Sequence, residues 1–246
     1  MRNFRLLLAY DGSRYRGWQR LGNSDQTIQG KLETVLSRML ETSVEVHGSG
    51  RTDAGVHAEG QVANFHADTD MTPQEIQSYL RRYLPEDIGI LDVTEAAPRF
   101  HSRLNASRKT YRYRIWNTNM PCVFDRKYVW ILPDSLSIED MKDAAKYLIG
   151  THDFLAFCSN KHFKKSSVRT IYDISIVQVG KELQISVTAD GFLYNMVRII
   201  VGTLVEVGRG ERSARDIPAI LESRVRENAG MTVPPQGLCL MEVLYT

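Results

Sequence analysis

The run Gly48-Ser49-Gly50-Arg51-Thr52-Asp53-Ala54-Gly55-Val56-His57-Ala58 gathers glycines, an arginine, an aspartate and a histidine between two strand-like segments. It holds too little apolar content to be core, and its glycines let a ligand approach the backbone closely. Asp53 follows Arg51 at a spacing that keeps a carboxylate ionised and presents it to a bound molecule. An ionised carboxylate so placed can act as a nucleophile. The same residue type also caps its own loop in Gly-rich turns, and Arg51 can equally brace the loop. Tyr111 lies in the basic run Arg108-Lys109-Thr110-Tyr111-Arg112-Tyr113-Arg114. In a strand, Tyr111 and Tyr113 point one way while Arg112 and Arg114 point the other. A tyrosine there offers a flat face for stacking and a hydroxyl for proton transfer. Tyr113 reads as an ordinary strand aromatic. Arg198 opens an apolar helix after Phe192 to Val197. Its base should be buried, and a buried guanidinium needs a partner. The alternatives are a side chain that snorkels to solvent, or a pair with another acid such as Asp190. His57 reads as a loop-fixing hydrogen-bond donor, His152 as structural, and Trp18 as a core anchor.

These residues need elements to hold them. Phe4, Leu6, Leu8 and Tyr10 alternate as a half-buried strand does. Thr27 caps a helix with Ile28, Leu32, Val35-Leu36 and Met39-Leu40 on one face. Ser43 to His47 and Gly60 to His66 read as strands flanking the Asp53 loop. Thr72-Pro73-Gln74-Glu75 is a capping box with proline at the first helical position, and Ile88 to Val93 closes the first half as a strand. In the second half Thr110 to Trp116 is a strand. Ser137 caps a helix with Ile138, Met141, Ala145 and Leu148 inward. Val168 to Val177 and Leu183 to Ala189 form an antiparallel pair around Gly180. A helix runs from Leu193 to Val207 and stops at Gly208-Arg209-Gly210, a short helix follows near Ile217 to Val225, and Leu238 to Tyr245 is the last strand. The expected class is α+β, in two lobes of ferredoxin-like wiring. The boundary falls near Arg103 to Ser107, giving lobes of residues 1–104 and 105–246.

With 246 residues the chain can bury a sizeable core. Met1 to Arg5 lacks the apolar run of a secretory signal. The apolar stretch Met196 to Val207 contains Arg198 and Glu206 and is too short to span a bilayer. Cys122, Cys158 and Cys239 are far apart, which argues against a zinc site or a disulfide framework and for a reducing cytoplasm. The net charge of +2 predicts no nucleic-acid partner by itself, but its distribution does. Arg103, Arg108, Lys109, Arg112 and Arg114 occur with no acid among them. Arg14, Arg16 and Arg20 form a second group, and Lys161, Lys164, Lys165 and Arg169 a third. Such patches attract phosphate backbones.

The Gly48–Ala58 run resembles the signature of the tRNA pseudouridine synthase A family. The likeness extends in order along nearly the whole chain. It takes in Tyr10-Asp11-Gly12, Tyr15-Arg16-Gly17-Trp18-Gln19, Thr27-Ile28-Gln29-Gly30, Phe100-His101-Ser102-Arg103 and Lys109-Thr110-Tyr111-Arg112-Tyr113. It continues through His152-Asp153-Phe154, Arg169-Thr170-Ile171, Gly191 to Arg198 and Pro234-Pro235-Gln236-Gly237-Leu238. Ser102 and Val233 depart from the pattern, which has alanine at both, but stand beside the chemistry rather than on it. The resemblance implies the pseudouridine synthase fold, with the two lobes joining one continuous antiparallel sheet around a central cleft. It implies isomerisation of uridine to pseudouridine in the tRNA anticodon stem-loop, at tRNA positions 38–40. In that reaction the N1–C1′ bond breaks, the uracil turns, and C5 bonds to C1′. No electrons leave and no group is added, so no cofactor or metal is called for. The target base must be extruded from its stack.

By the same resemblance Asp53 is the nucleophile, Arg198 its partner, and Tyr111 the residue stacking on the uracil. Arg51, Arg108 and Lys109 then contact the substrate. The partner is tRNA, the enzyme a cytoplasmic homodimer without membrane attachment. Two other readings differ in class. One is a tRNA-binding or tRNA-folding module without chemistry, which could discard the acid, whereas this chain keeps Asp53, Tyr111 and Arg198 together. The other is a nucleotide-binding enzyme with Gly48 to Gly55 as a phosphate cradle. No Lys-Ser/Thr pair follows, and the next segment reads as strand rather than helix.

Overall fold

The computed structural model describes residues 1–160 and 166–245, so Lys161, Lys164 and Lys165 lie outside the described residues. Among the described residues the fold is mixed α/β, with five α-helices and mostly antiparallel, open sheet. Contacts divide the chain into two compact units, Met1–Ser107 with Cys239–Thr246, and Arg108–Leu238.

In the first unit β1 (Arg2–Tyr10) buries Phe4, Leu6, Leu8 and Tyr10 on alternate positions. Helix α1 (Ile28–Leu40) starts where Thr27 Oγ1 accepts from the Gly30 N–H at 3.2 Å. Its Ile28, Leu32 and Leu36 are fully buried, each contributing about 1.5–3 kcal/mol by leaving water. Strands β2 (Val46–Gly48) and β3 (His57–Ala67) follow, then α2 (Pro73–Tyr83) and β4 (Ile88–Ala96). Thr72 and Glu75 complete the capping box of α2, with Pro73 in its first turn. β1 lies antiparallel between β3 and β4, with Phe4 opposite Phe65 and their rings stacked at 5.3 Å. β2 joins the other edge of β3, Val46 opposite Phe65. The resulting order, β4-β1-β3-β2, arises from strand-helix-strand-strand-helix-strand wiring of ferredoxin type.

In the second unit β5 (Ala106–Trp116) carries β6 (Trp130–Ile131) in parallel on one edge and β9 (Glu182–Ala189) antiparallel on the other. Before β9 come α3 (Ile138–Lys146), β7 (Gly150–Asp153) and β8 (Val168–Val179), and the order runs β5-β9-β8-β7. Helix α4 (Met196–Gly208) is apolar nearly all round because it is buried nearly all round. After α5 (Ile217–Ser223) the chain ends in β10 (Leu238–Tyr245). A division at 104/105 puts this strand with the second half, yet the contacts count Cys239 onward with the first unit. Short β2 leaves the beginning of the β3 edge open, and β10 runs parallel there with Cys239 opposite His57.

Several boundaries differ from the sequence reading for local reasons. α4 begins at Met196 instead of Leu193, because Asn195 adopts a left-handed backbone with φ 63°. α5 stops at Ser223, because Arg224 does the same with φ 56°. β6 and β7 carry no period-2 signal and are formed by pairing alone.

Candidate active site

The Asp53 loop is anchored by its own neighbours in the first unit. Trp18 is buried, and its backbone N–H donates to the Thr52 carbonyl at 3.0 Å. Gly17 makes that approach at φ +99°, where a Cβ would sit 2.6 Å from the Thr52 oxygen. Gly48 abuts the Trp18 indole, whose nearest atom is 2.4 Å from where a Cβ would be. Only glycine fits either position. Val56 N–H donates to the Asp53 carbonyl at 3.1 Å and closes a tight turn through Ala54 and Gly55. Thr52 and Val56 are buried and serve as anchors; Asp53 is half-buried and Arg51 exposed. His57 is buried and steadies the loop through Nδ1, which lies 3.1 Å from the Gly12 amide nitrogen and 3.2 Å from Asp11 Oδ1.

The second unit holds Tyr111 and Arg198. Tyr111 on β5 stands opposite Val187, is 8% exposed, and packs edge-on against Phe192 at 5.1 Å. Phe192 opens the turn that leads into α4 and Arg198. The half-buried Arg198 donates from Nε to the Val233 carbonyl at 2.7 Å and from Nη1 to Asn195 Oδ1 at 2.9 Å. The structure therefore ties Tyr111 and Arg198 to one short segment, 192–195, from opposite ends. Tyr113 is a core residue. Its ring is fully buried, its hydroxyl donates to the Pro234 carbonyl at 2.7 Å, and burial pushes its phenol far above the ordinary range. Trp18 likewise fills core. His152 closes a local turn through the Ile149 carbonyl, 3.0 Å from its Nε2. Asp190, the other acid weighed for Arg198, accepts from the Thr170 N–H at 3.1 Å.

The basic groups look different once folded. Arg108 is exposed, its guanidinium 4.3 Å over the Tyr172 ring, and Lys109 is half-buried. Arg114 instead binds Glu182 through both Nε and Nη2, at 2.8 and 2.5 Å, with Asp125 at 3.6 Å. This pairing holds the Glu182 carboxyl below its usual range. Arg20 pairs with Glu33 at 3.1 Å and Arg14 with Asp87 at 3.8 Å, while Arg16 is exposed. Arg169 spends one nitrogen on the carbonyls of Ser166 and Val168. A run without acids in sequence thus acquires them from other elements, and the phosphate-facing charge is smaller than the run suggests.

Sequence reasoning misses Tyr10, Ser49 and Gln61 as site residues. They form a buried polar cluster under the Asp53 loop. The available signal is a glutamine inside the apolar strand Gly60-Gln61-Val62-Ala63-Asn64-Phe65. Among the described residues, no group of three or more His, Cys, Asp or Glu stands where it could hold a metal ion.

The family profile described as tRNA pseudouridine synthase matches residues 7–104 and 144–246. A Bacillus cereus protein named tRNA pseudouridine synthase A 2 is 47% identical over 245 residues, covering 100% of both chains. A Bacillus sp. (strain KSM-64) protein named tRNA pseudouridine synthase A is 51% identical over 230 residues, 94% of each chain. One of the same name from Acetivibrio thermocellus is 45% identical over 245 residues, again covering 100% of both. Matches of this extent, over both units and through the Asp53 loop, place the chain in the tRNA pseudouridine synthase family.

Proposed function

We propose that this chain converts uridine to pseudouridine in the anticodon stem-loop of tRNA, with Asp53 as nucleophile. The observation that carries the reading is the full-length match to proteins named tRNA pseudouridine synthase A, together with Asp53, Tyr111 and Arg198 at the family's motif positions. The reaction balances internally. The N1–C1′ bond breaks, C5–C1′ forms, C5 gives up a proton and N1 gains one. The protein must supply a carboxylate able to attack carbon, a face for the loosened uracil, and a path for one proton.

In this reading Asp53 supplies the carboxylate from its glycine-braced loop. Tyr111, packed edge-on against Phe192, supplies the face and hydroxyl. Arg198, oriented through two of its nitrogens, supplies a fixed positive charge for the reaction. Arg51, Arg108 and Lys109 hold the nucleotide and its phosphates; such contacts govern affinity and salt dependence more than site choice. The enzyme works as a homodimer in the cytoplasm. Among the described residues no helix is long and apolar enough to cross a membrane.

The experiment is incubation with unmodified tRNA transcripts and base-by-base mapping of pseudouridine, with Asp53→Ala as control. Product at anticodon stem-loop uridines, absent with the variant, is the expected result. Binding without product in the wild-type protein would favour the non-catalytic tRNA-binding reading.

A further inference from the structure

A chain of hydrogen bonds runs beneath the Asp53 loop. Its centre is Gln61 on β3, fully buried and on the core face opposite Leu8 of β1. Ser49 Oγ donates to Gln61 Oε1 at 2.6 Å, and the Val62 N–H donates to the same oxygen at 3.2 Å. Two donors facing one end of the amide fix which end is oxygen. The Nε2 end then donates to the Gly50 carbonyl at 3.1 Å and to the Tyr10 hydroxyl oxygen at 3.4 Å. The Tyr10 hydroxyl also shares a hydrogen bond with Thr52 Oγ1 at 2.8 Å, in which either oxygen can be the donor. Burial pushes the Tyr10 phenol above its ordinary range, so the hydroxyl stays protonated.

The chain therefore holds the loop at two levels. Ser49 and Gly50 are held at its start by Gln61, and Thr52 by Tyr10. The Thr52 carbonyl is held from the other side by the Trp18 N–H. The next residue is Asp53. A shift between Leu8 and Tyr10 in the pairing of β1 with β3 sets Tyr10 opposite Ala58 and brings its hydroxyl within reach of both Gln61 and Thr52. A polar cluster in a core costs desolvation, and what it provides over apolar packing is a single orientation.

We propose that Tyr10 and Gln61 are positioning residues for the reaction, fixing through Thr52 the backbone from which Asp53 presents its carboxylate. The inference rests on Asp53 as nucleophile. Displacement of a reacting group by about 1 Å costs on the order of 100-fold in rate, so a network that holds Thr52 should register in kcat.

The test uses Tyr10→Phe, which keeps the ring and removes the hydroxyl, and Gln61→Met, which keeps length and removes both polar ends. Single-turnover rates on unmodified tRNA, tRNA affinity and thermal midpoint are measured for each. The expected result is a kcat lowered roughly 10- to 100-fold per folded molecule, with KM and tRNA affinity within about threefold. Thr52→Ser, which retains the hydroxyl, should stay within about threefold of wild type. The double variant Tyr10→Phe/Thr52→Val should be no slower than its slower single parent, as members of one unit are. A lower thermal midpoint with wild-type kcat in Tyr10→Phe would overturn the proposal and leave the network a role in stability alone. A raised KM at constant kcat would overturn it too. Should Gln61→Met fail to fold, Tyr10→Phe decides. Asp53→Asn separates the two readings: if it turns over, the nucleophile assignment falls; if it is inactive while Tyr10→Phe is fully active, only the positioning role falls.

Discussion

Arg198 donates from Nε to the main-chain oxygen of Val233 at 2.7 Å, while the Val233 N–H lies 3.4 Å from the Arg198 carbonyl. The two residues thus clasp each other through backbone and guanidinium. The clasp uses only the backbone of Val233, so it does not depend on that residue's side chain. It also fixes the plane of the guanidinium, which a lysine could not reproduce.

Arg198→Lys should therefore behave much like Arg198→Ala. Hydrogen bonds from a charged group contribute about 1.5–3 kcal/mol each, and a lysine at this position would keep charge without the fork. We expect pseudouridine formation to fall at least about tenfold in both variants, with the lysine recovering little. Single-turnover rates check this, and a lysine variant at wild-type speed would refute the orienting role.

Asp53→Ala should abolish product while leaving tRNA affinity within a few-fold. The residue is half-buried on a loop whose anchors are Thr52 and Val56, so its truncation spares the fold. Filter binding and product mapping on one preparation check both halves, and retained turnover would eliminate the nucleophile.

The two tyrosines of β5 should respond in opposite ways. Tyr113→Phe leaves the Pro234 carbonyl without its 2.7 Å donor and should destabilise by about 1–3 kcal/mol. Tyr111→Phe should slow the proton transfer. Denaturant titration beside rate measurement checks the pair. Equal loss of activity in both at full folding would contradict the division of roles.

Arg108→Glu and Lys109→Glu should each weaken tRNA binding and flatten its salt dependence, whereas Arg114→Gln should change stability first. Arg108 is exposed over Tyr172, but Arg114 is already neutralised by Glu182. Each lost phosphate contact lowers the log–log salt slope by about 0.7–0.9. Affinities at several salt concentrations check this, and an unchanged slope for Arg108→Glu would place that side chain away from RNA.

The Glu182 carboxyl, held by Arg114, titrates below its ordinary value of 4.5. In the window between the depressed folded value and 4.5 the unfolded chain binds more protons, so stability rises with pH there. This contribution is complete above about pH 5 and is lost on acidification through the folded value. Glu182→Gln should remove that part of the acid dependence, measured as midpoint against pH. An unaltered profile would show that the pair contributes nothing.

Periodicity and caps made most elements legible without coordinates. Thr27, Thr72 and Ser137 mark helix starts because each supplies its own acceptor to the first turn. The alternation of β1, β8 and β9 is local information, as is the Gly180 turn with φ +58°. The residue types at Asp53, Tyr111 and Arg198 and the order of motifs around them were sufficient to indicate the family. What sequence could not carry was pairing. The short strands β6 and β7 have no period of their own. The placement of β10 beside β3 follows from an edge that β2 leaves open. Arg114, Arg20 and Arg14 looked like free cations until folding brought Glu182, Glu33 and Asp87 to them. The Tyr10–Gln61–Thr52 chain joins residues from three places in the sequence, so only the folded chain reveals that the loop carrying Asp53 is held by a buried hydrogen-bond network.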